Sequence, residues 1–160
     1  MTDFRGLIQT LIDAHVDFVL VGGVAATVHG SARLTRDVDV VYDRSDENIT
    51  RLVNALAPLN PYLRGAPPGL PFSWDAATVR RGLNFTLTTE LGDLNLLGEV
   101  TGGGSYGELV THASLVRIFD REIRCLDLEW LIRVKRAAGR PKDLEVIAEL
   151  EVLLEEQSGS

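Results

Sequence analysis

The segment 17–42 constrains the fold of this chain more than any other part of its sequence. It begins with the apolar run DFVLV, is interrupted by Gly22 and Gly23, continues with small residues, and ends with DVDVVY at 37–42. The two β-prone runs predict two short strands, and the small residues between them predict a tightly packed helix that ends near Gly30. Because glycine tolerates positive φ angles and lets a backbone approach a ligand closely, the glycine pair predicts a tight strand-to-helix turn, with or without a bound anion.

The rest of the chain alternates between helical and strand patterns. Segment 57–72 carries five of the six prolines and is predicted to be a long loop. The whole pattern predicts an α+β (mixed α/β) fold, in which a small mixed sheet is flanked by helices and followed by a C-terminal helical pair. One domain is expected, with a core over 1–127, C-terminal helices over 128–156 packed on that core, and a disordered tail at 157–160. Helices are predicted at 4–15, 45–56, 106–112, 128–139 and 140–156, and β-hairpins at 83–98 and 115–127.

The composition limits the classes of function. The net charge of −7 argues against non-specific coating of nucleic acid, because phosphate contacts need a cationic surface. Cys125 is the only cysteine, which excludes a disulfide within the chain and favours a reduced, cytoplasmic setting. The longest uncharged run, 18–32, is interrupted by polar residues and is shorter than the roughly 20 apolar residues of a membrane helix. The N-terminus lacks the basic and apolar regions of a signal peptide, so neither a membrane anchor nor secretion is expected.

Asp37 and Asp39 are two residues apart on the second predicted strand, so both carboxylates point from the same face, roughly 7 Å apart. Two like charges at this distance repel each other, and a divalent cation between them removes the repulsion. Mg²⁺ prefers a few carboxylates together with water and substrate phosphates, and such ions can neutralise a triphosphate. The alternative is an edge strand on which both aspartates are simply in contact with solvent.

Together the motifs resemble the nucleotidyltransferase superfamily, which has the DNA-polymerase-beta-like catalytic fold. The resemblance rests on VGG at 21–23 and DVD at 37–39, since the superfamily has a glycine pair a short distance before an Asp–hydrophobic–Asp strand. The stretches GGVAATVHGSARLTRDVDVVYD, GDLNLLGEVTGGGSYGELV and LEWLIRVKRAAGRPKDL are similar to small stand-alone bacterial nucleotidyltransferase-like proteins related to AbiEii-type toxins. The similarity extends over 18–150. It implies a minimal nucleotidyltransferase fold, Mg²⁺ or Mn²⁺ as the cofactor, and a nucleoside triphosphate (NTP) as a substrate.

The resemblance also implies a third carboxylate, which completes the metal site and can accept the proton of an attacking hydroxyl. The candidate strand is GDLNLLG, in which this sequence has Asn95 where similar proteins carry the acid. Asp93 lies two residues earlier and therefore points to the same face. Either Asp93 takes the role in a shifted register, or the site has lost its base, because an amide cannot take up a proton at neutral pH. Asp37, Asp39 and Asp93 are the predicted catalytic and metal-binding residues, and Asn95 can still bind a metal through its carbonyl oxygen.

Polar and cationic side chains near these motifs are the candidates for phosphate binding. By resemblance, Ser31 and Arg33 line the triphosphate, and Lys135 and Arg140 reach nucleotide phosphates. A guanidinium can stabilise the negative charge that spreads over a phosphoryl group in the transition state. The alternative for each cation is a solvated, charged surface. With the turn glycines, the predicted phosphate-binding residues are Gly22, Gly23, Ser31, Arg33, Lys135 and Arg140, and Asn95 and Arg36 are further candidates.

Other residues that often carry function are given structural roles. The three histidines have no metal-binding spacing and are predicted to be structural. Trp74 and Trp130 are predicted to pack against the protein rather than to stack on nucleotide bases. Segment 72–74, at the end of the proline-rich loop, could form a lid over a substrate.

Three functions remain open from the sequence. The first is an enzyme of the EC 2.7.7 type that moves a nucleoside monophosphate from an NTP to an acceptor hydroxyl, on the 3′ end of a tRNA or on a protein. The resemblance to toxins adds a cognate antitoxin as a partner. The second is a catalytically impaired module of the same fold that binds a nucleotide or a partner protein, which Asn95 supports. The third is adenylylation of an antibiotic or similar small molecule, which is disfavoured because few residues follow 128 to bind an acceptor.

Overall fold

The computed structural model describes residues 1–159. Within them, seven strands form one sheet and two more form a separate small hairpin. The strands are β1 (Phe18–Val21), β2 (Asp37–Tyr42), β3 (Tyr62–Leu63), β4 (Phe85–Thr89), β5 (Gly92–Leu97), β6 (Glu99–Val100), β7 (Gly104–Ser105), β8 (Ala113–Ile118) and β9 (Arg121–Leu126). The order in the large sheet is β3-β4-β5-β2-β1-β9-β8, and β6 pairs with β7. β1 is antiparallel to β2 and parallel to β9, and β2 is parallel to β5, so the predicted mixed sheet is confirmed.

The helices begin and end at residues with clear local reasons. Asp3 and Ser45 cap the first and third helices by accepting hydrogen bonds from backbone amides. Gly139, with φ +64°, ends the sixth helix, and Pro141 is the first residue of the seventh. No helix within residues 1–159 is both long and apolar enough to cross a lipid bilayer. The helices are α1 (Phe4–Asp13), α2 (Gly22–Val28), α3 (Asp46–Leu56), α4 (Ala76–Arg81), α5 (Tyr106–Leu109), α6 (Leu128–Ala138) and α7 (Pro141–Ser158), with 3₁₀ turns at Ala57–Leu59 and Val110–His112.

One apolar core joins the sheet to the helices. α1 contributes Leu7 and Leu11, the central strand β2 contributes Val38, and the two C-terminal helices contribute Leu131 and Leu150. Each of these side chains is almost completely buried. Full burial of an apolar side chain of this size stabilises a fold by about 1.5–3 kcal/mol. α6 and α7 therefore pack on the sheet as part of the same core, and the expected C-terminal helical pair is present.

The prediction of an unbroken loop over 57–72 is wrong. A 3₁₀ turn forms at Ala57–Leu59, and the two residues of β3 pair with β4 at the edge of the sheet. The prolines flank this short strand instead of entering it, which an edge position tolerates. α4 was also missed, although Asp75 caps it by accepting a hydrogen bond from the Thr78 amide.

Several helix boundaries also differ from the prediction, and α1 ends at Asp13, two residues before its predicted end. α2 begins at Gly22 itself and its C-cap is His29, so Gly30 follows the helix, with φ +112°. α7 continues through Ser158, so residues 157 and 158 of the predicted tail are helical. No glycine or proline interrupts that helix after Pro141 until Gly159, which is its C-cap. Ser160, the last residue of the predicted tail, lies outside the described residues.

The order and register of the central strands place the predicted site residues close to one another. β2 lies between β1 and β5, so its first residues are flanked by a strand on each side. The parallel register sets Asp37 beside Asp93 and Asp39 beside Asn95. The antiparallel register sets Val21, at the end of β1, beside Asp39. The glycine turn, the aspartate pair and the start of β5 therefore meet at one end of three adjacent strands.

Candidate active site

Asp37 and Asp39 meet at the side-chain amide of Asn95. Asn95 Nδ2 donates hydrogen bonds to Asp39 Oδ1 at 2.6 Å and to Asp37 Oδ2 at 3.1 Å. The register of β2 and β5 causes this convergence, because it sets Asn95 directly beside Asp39. Both aspartates are partly buried, and their strand has a neighbour on each side, so the alternative of an edge strand in solvent is wrong.

The glycine turn packs directly against this pair. Gly22 has φ +69°, and a Cβ atom at this position would overlap the Asp39 carboxylate. A Cβ atom at Gly23 would lie 2.5 Å from Thr35 Oγ1, which is closer than real Cβ contacts. Glycine is thus required at both positions by close packing, and at Gly22 by the backbone conformation as well. The turn and the carboxylates form one continuous surface.

Asp39 is the titratable group most perturbed at this end of the sheet. Burial, together with the nearby charge of Asp37, raises the pKa of the Asp39 carboxyl to about 6. The hydrogen bond from Asn95 and the positive charges of Lys135 and Arg64 oppose this increase. A cation bound beside the pair would favour the ionised form of the Asp39 carboxyl.

Arg64 reaches the same cluster from the segment after β3. Its Nη1 lies 3.5 Å from Asp37 Oδ2, and its Nε lies 3.5 Å from Asp93 Oδ1. Nη2 donates hydrogen bonds to the carbonyl oxygen of Leu87 at 2.7 Å and to Asn95 Oδ1 at 3.0 Å. Because the guanidinium bonds to a strand carbonyl, it is held as a fixed part of the site.

Asp37 and Asp39 direct oxygens to the same point, which the side-chain nitrogen of Asn95 occupies. Carboxylate oxygens completed by water and substrate phosphate suit Mg²⁺ or Mn²⁺, so a cation here would replace this contact, and metal binding by Asp37 and Asp39 stays a prediction. Asp93 lies on the neighbouring strand β5, at the same end of the sheet, and its carboxylate is paired with Arg64. Among residues 1–159, no three acidic, histidine or cysteine side chains converge on a point that could hold a metal ion. A metal site here would therefore rest on Asp37 and Asp39, and a metal-binding role for Asp93 stays a prediction.

A cleft of about 290 Å³ opens beside the aspartates. Its lining contains five cationic side chains and four acidic ones, including Asp37 and Asp39. The cleft therefore combines both signs of charge. Cations around a carboxylate pair attract a polyphosphate, and a cleft concentrates that field. The cations are Arg33, Arg36, Lys135, Arg140 and Lys142.

Asp143 holds two of the predicted phosphate-binding cations. Its side chain is only 3% exposed, and it accepts a hydrogen bond from Arg140 Nε at 2.6 Å. Lys135 Nζ lies 3.8 Å from the same carboxylate. Burial lowers the pKa of the Lys135 ammonium, while the charges of Asp143 and Asp39 act in the opposite direction. Lys135 and Arg140, two of the predicted phosphate-binding residues, therefore line the cleft. Both are already paired with the same buried acid, Asp143.

The loop between α2 and β2 is fastened to α7. Ser31 donates a hydrogen bond from Oγ to Glu149 Oε1 at 2.6 Å, and the second oxygen of Glu149 accepts from the Ala32 amide at 3.1 Å. Arg33 Nη2 donates to the carbonyl oxygen of Glu145 at 3.1 Å. Ser31 and Arg33 line the cleft with their polar atoms engaged by this helix, and the contact with a triphosphate that the resemblance implies stays a prediction.

The aromatic residues pack against the protein. Trp74 Nε1 donates a hydrogen bond to the carbonyl oxygen of Val53 at 3.0 Å, which ties segment 72–74 to α3. Trp130 stacks on His112 with the ring centres 3.7 Å apart. A lid role for segment 72–74 stays a prediction.

Sequence reasoning missed Arg64, Thr35 and Glu149. One sequence feature could have indicated Arg64, because it is the only charged residue of the proline-rich segment 57–72. Thr35 donates from Oγ1 to the carbonyl oxygen of Asp37 at 3.2 Å and packs on Gly23, and no motif indicates it. Glu149 is 118 residues from Ser31, so no local pattern could connect them.

No protein-family model matches the sequence, and no curated protein matches it either. Several solved structures share its fold. A candidate nucleotidyltransferase from Thermotoga maritima is 15% identical with a TM-score of 0.58, and the match covers 93% of this chain and 94% of that one. The lincosamide antibiotic adenylyltransferase LnuA, solved with lincomycin bound, is 16% identical with a TM-score of 0.61 and the same coverage. ANT(2″)-Ia, solved with adenylyl-2″-tobramycin, is 13% identical with a TM-score of 0.52, and the match covers 93% of this chain and 91% of that one. At these identities the likeness concerns the fold alone, and this chain has the fold of nucleotidyltransferases.

Proposed function

We propose that this protein is a nucleotidyltransferase that moves a nucleoside monophosphate from an NTP to an oxygen of an acceptor and releases pyrophosphate. The observation that carries the proposal is the convergence of Asp37 and Asp39 beside Gly22, at the floor of a cleft lined with cations. The shared fold with nucleotidyltransferases supports it. Asp37 and Asp39 would hold Mg²⁺ or Mn²⁺, which when bound supplies positive charge to the triphosphate.

The other side chains of the cleft bind and orient the nucleotide. Lys135 and Arg140 face the phosphates, where a cation stabilises the charge that develops on the transferred and leaving groups. Asp143 forms ion pairs with both cations and so holds their side chains in place. Ser31 and Arg33 shape the phosphate-side wall of the cleft while α7 holds their loop. Gly22 leaves room for the Asp39 carboxylate at the end of β1.

The acceptor is the least constrained part of the proposal. The resemblance to AbiEii-type toxins proposes a tRNA 3′ end or a protein, together with a cognate antitoxin. The net charge of −7 weighs against a large RNA surface. LnuA is named as an adenylyltransferase of lincosamide antibiotics, and ANT(2″)-Ia was solved with adenylyl-2″-tobramycin, so both are associated with small-molecule acceptors. The matches to this chain cover 94% and 91% of their lengths. A chain of this size is therefore long enough for a small-molecule acceptor, and the size objection raised from the sequence does not hold.

Labelled nucleotides test the proposal directly. The protein is incubated with each α-labelled NTP, with Mg²⁺ or Mn²⁺, and with total tRNA, protein extract or small-molecule acceptors. We expect label in an acceptor and release of pyrophosphate, both abolished in Asp37→Asn. Asp46→Asn is the matched control, because Asp46 is a surface residue paired with Arg80. Equal labelling by the wild type and Asp37→Asn would refute the proposal.

Arg64 and Asn95 favour a second candidate function, a module of this fold that binds nucleotide without transferring it. An arginine contacts Asp37 and Asp93, and an amide occupies the place of the third acid. A guanidinium already supplies the positive charge that a cation would bring to Asp37. Calorimetric binding of an NTP with no transfer to any acceptor and no pyrophosphate release would favour this module over the enzyme.

A further inference from the structure

The outward face of α7 carries an apolar stripe that no other part of residues 1–159 covers. Val146 and Leu150, on the inner face, are buried in the core. Leu144, Ala148 and Val152 recur every four residues on the opposite side, and Leu144 and Val152 are 55% and 53% exposed. Because residues four apart lie on one side of a helix, these three form a continuous line. Apolar residues on two faces are typical of a helix that is packed on both sides.

The stripe is complementary in shape to a second copy of itself. Ala148 is at its centre, and the larger side chains of Leu144 and Val152 lie four residues before and after it. When two copies of α7 cross at Ala148 in antiparallel orientation, Leu144 of each copy packs against Val152 of the partner subunit. The small side chain at the crossing point lets the helix axes approach closely, because the interaxial distance depends on the side chains there. Such a self-complementary contact gives a closed two-fold dimer.

The acidic residues along the middle of α7 are already engaged within the chain. Glu145 Oε2 lies 3.7 Å from Arg33 Nη1, and Glu151 forms an ion pair with Arg136. Glu149 accepts hydrogen bonds from the loop that precedes β2. These contacts offset the negative charge on both sides of the stripe, so they reduce the repulsion between two copies of the helix.

The two ends of α7 carry opposite charges that have no ion-pair partner among residues 1–159. Lys142 lies at the start of the helix, and Glu155 and Glu156 lie in its last turns. In the antiparallel arrangement Lys142 comes within about 3 Å, along the axis, of the level of Glu156 of the partner subunit. A cation near a helix C-terminus is also favoured by the helix dipole. A parallel arrangement would instead place like charges together.

We propose that two copies of this chain associate through α7, with the stripe of Leu144, Ala148 and Val152 at the centre and Lys142 paired with Glu156 of the partner subunit at each end. This surface takes no part in nucleotide transfer, so the inference does not rest on the proposed function. A helix of 18 residues is about 27 Å long. A single pair of such helices makes a small interface, so the dimer is expected to be weak and to depend on protein concentration.

Sedimentation velocity over a wide range of concentrations tests the association. We expect the mass to rise from the 17.5 kDa of one chain towards twice that value as the concentration of the full-length protein increases. Val152→Glu should keep the protein monomeric, because it sets a charge within the stripe. Glutamate has a higher helix propensity than valine, so α7 should still form, which circular dichroism can check. Leu115→Glu is the matched control, since Leu115 is 62% exposed on the edge strand β8.

An exchange of charges tests the antiparallel orientation. Lys142→Glu alone and Glu156→Lys alone should each raise the dissociation constant about tenfold at low salt, because each dimer then loses two ion pairs and gains two like-charge contacts. The double variant should restore the affinity of the wild type, since it recreates both pairs with the signs reversed. Both substitutions lie on the surface, so this test does not depend on how Val152→Glu folds.

Three results would overturn the inference. The first is a mass of one chain at every concentration. The second is a dimer that Leu115→Glu dissociates and Val152→Glu does not, because the edge strand β8 would then be the interface. The third is a double charge variant that associates no better than the single variants. None of these measurements uses a nucleotide, so their outcome is separate from that of the labelling experiment.

Discussion

Replacing Asp39 with asparagine keeps the shape of the side chain and removes its charge. In the folded protein, burial and the charge of Asp37 raise the pKa of this carboxyl to about 6 from the ordinary 3.8. The folded state therefore holds a proton on Asp39 more tightly than the unfolded chain does, so stability falls as pH rises from about 4 through about 6. Each unit of pKa corresponds to about 1.4 kcal/mol. Over the whole titration the wild type therefore loses about 3 kcal/mol of folding free energy, and Asp39→Asn, which has no carboxyl to titrate, does not.

Urea unfolding in the presence of a metal chelator, followed by tryptophan fluorescence, measures this difference. We expect the free energy of unfolding of Asp39→Asn, relative to the wild type, to increase by about 2.5 kcal/mol between pH 4 and pH 7.5, because the unfolded carboxyl is already partly ionised at pH 4. In thermal melts the same change corresponds to about 5–10 °C for a domain of this size. Mg²⁺ should raise the melting temperature of the wild type at pH 7.5 and leave that of the variant unchanged, because an ionised Asp39 is needed to bind it.

The control is Asp46→Asn, which removes a carboxylate that is 80% exposed. Its effect should be small, since exposed ion pairs contribute about 0–1 kcal/mol. If Asp39→Asn changes stability by the same amount at both pH values, the burial of that carboxyl does not have the electrostatic cost assigned to it. A variant that becomes less stable relative to the wild type as pH rises would refute the reasoning outright.

Three further substitutions or probes test other parts of the structure. Gly22→Ala should lower stability by about 1–3 kcal/mol in thermal melts, because the new methyl group overlaps the Asp39 carboxylate at a positive φ, whereas Gly107→Ala has open space and should change little. Asp143→Asn should cost about 2 kcal/mol in urea unfolding, since it removes the buried carboxylate that two cations share, and no loss would contradict its role. Burial raises the pKa of the Cys125 thiol to about 12, so a thiol reagent should react with one cysteine only after denaturation, and rapid reaction of the native protein would refute this.

The sequence predicted the fold wherever the information was local. The alternation DVDVVY set both aspartates on one face of a strand, and β2 has the predicted bounds. Gly139 and Pro141 set the break between the two C-terminal helices, because one suits a left-handed helix end and the other suits a helix start. Such signals depend on one residue and its near neighbours.

The rest of the site depends on contacts that are distant in sequence. Arg64 reaches Asn95 across 31 residues, and this contact exists only because β3 adds to the edge of β4. Nothing in the proline-rich segment indicates that pairing, since two residues are too few for a strand pattern. The sequence therefore identified the acidic pair but not the arginine that faces it.

The bonds from α7 to the loop at 31–33 also determine when the site can exist during synthesis. A ribosome makes this loop long before it makes Glu145 and Glu149, which hold it. A nascent chain that has already paired β1 with β2 still lacks the contacts that set the wall of its cleft. The wall of the cleft is therefore completed only after α7 has left the ribosome, and a nascent chain that still lacks α7 carries the acidic pair without these contacts.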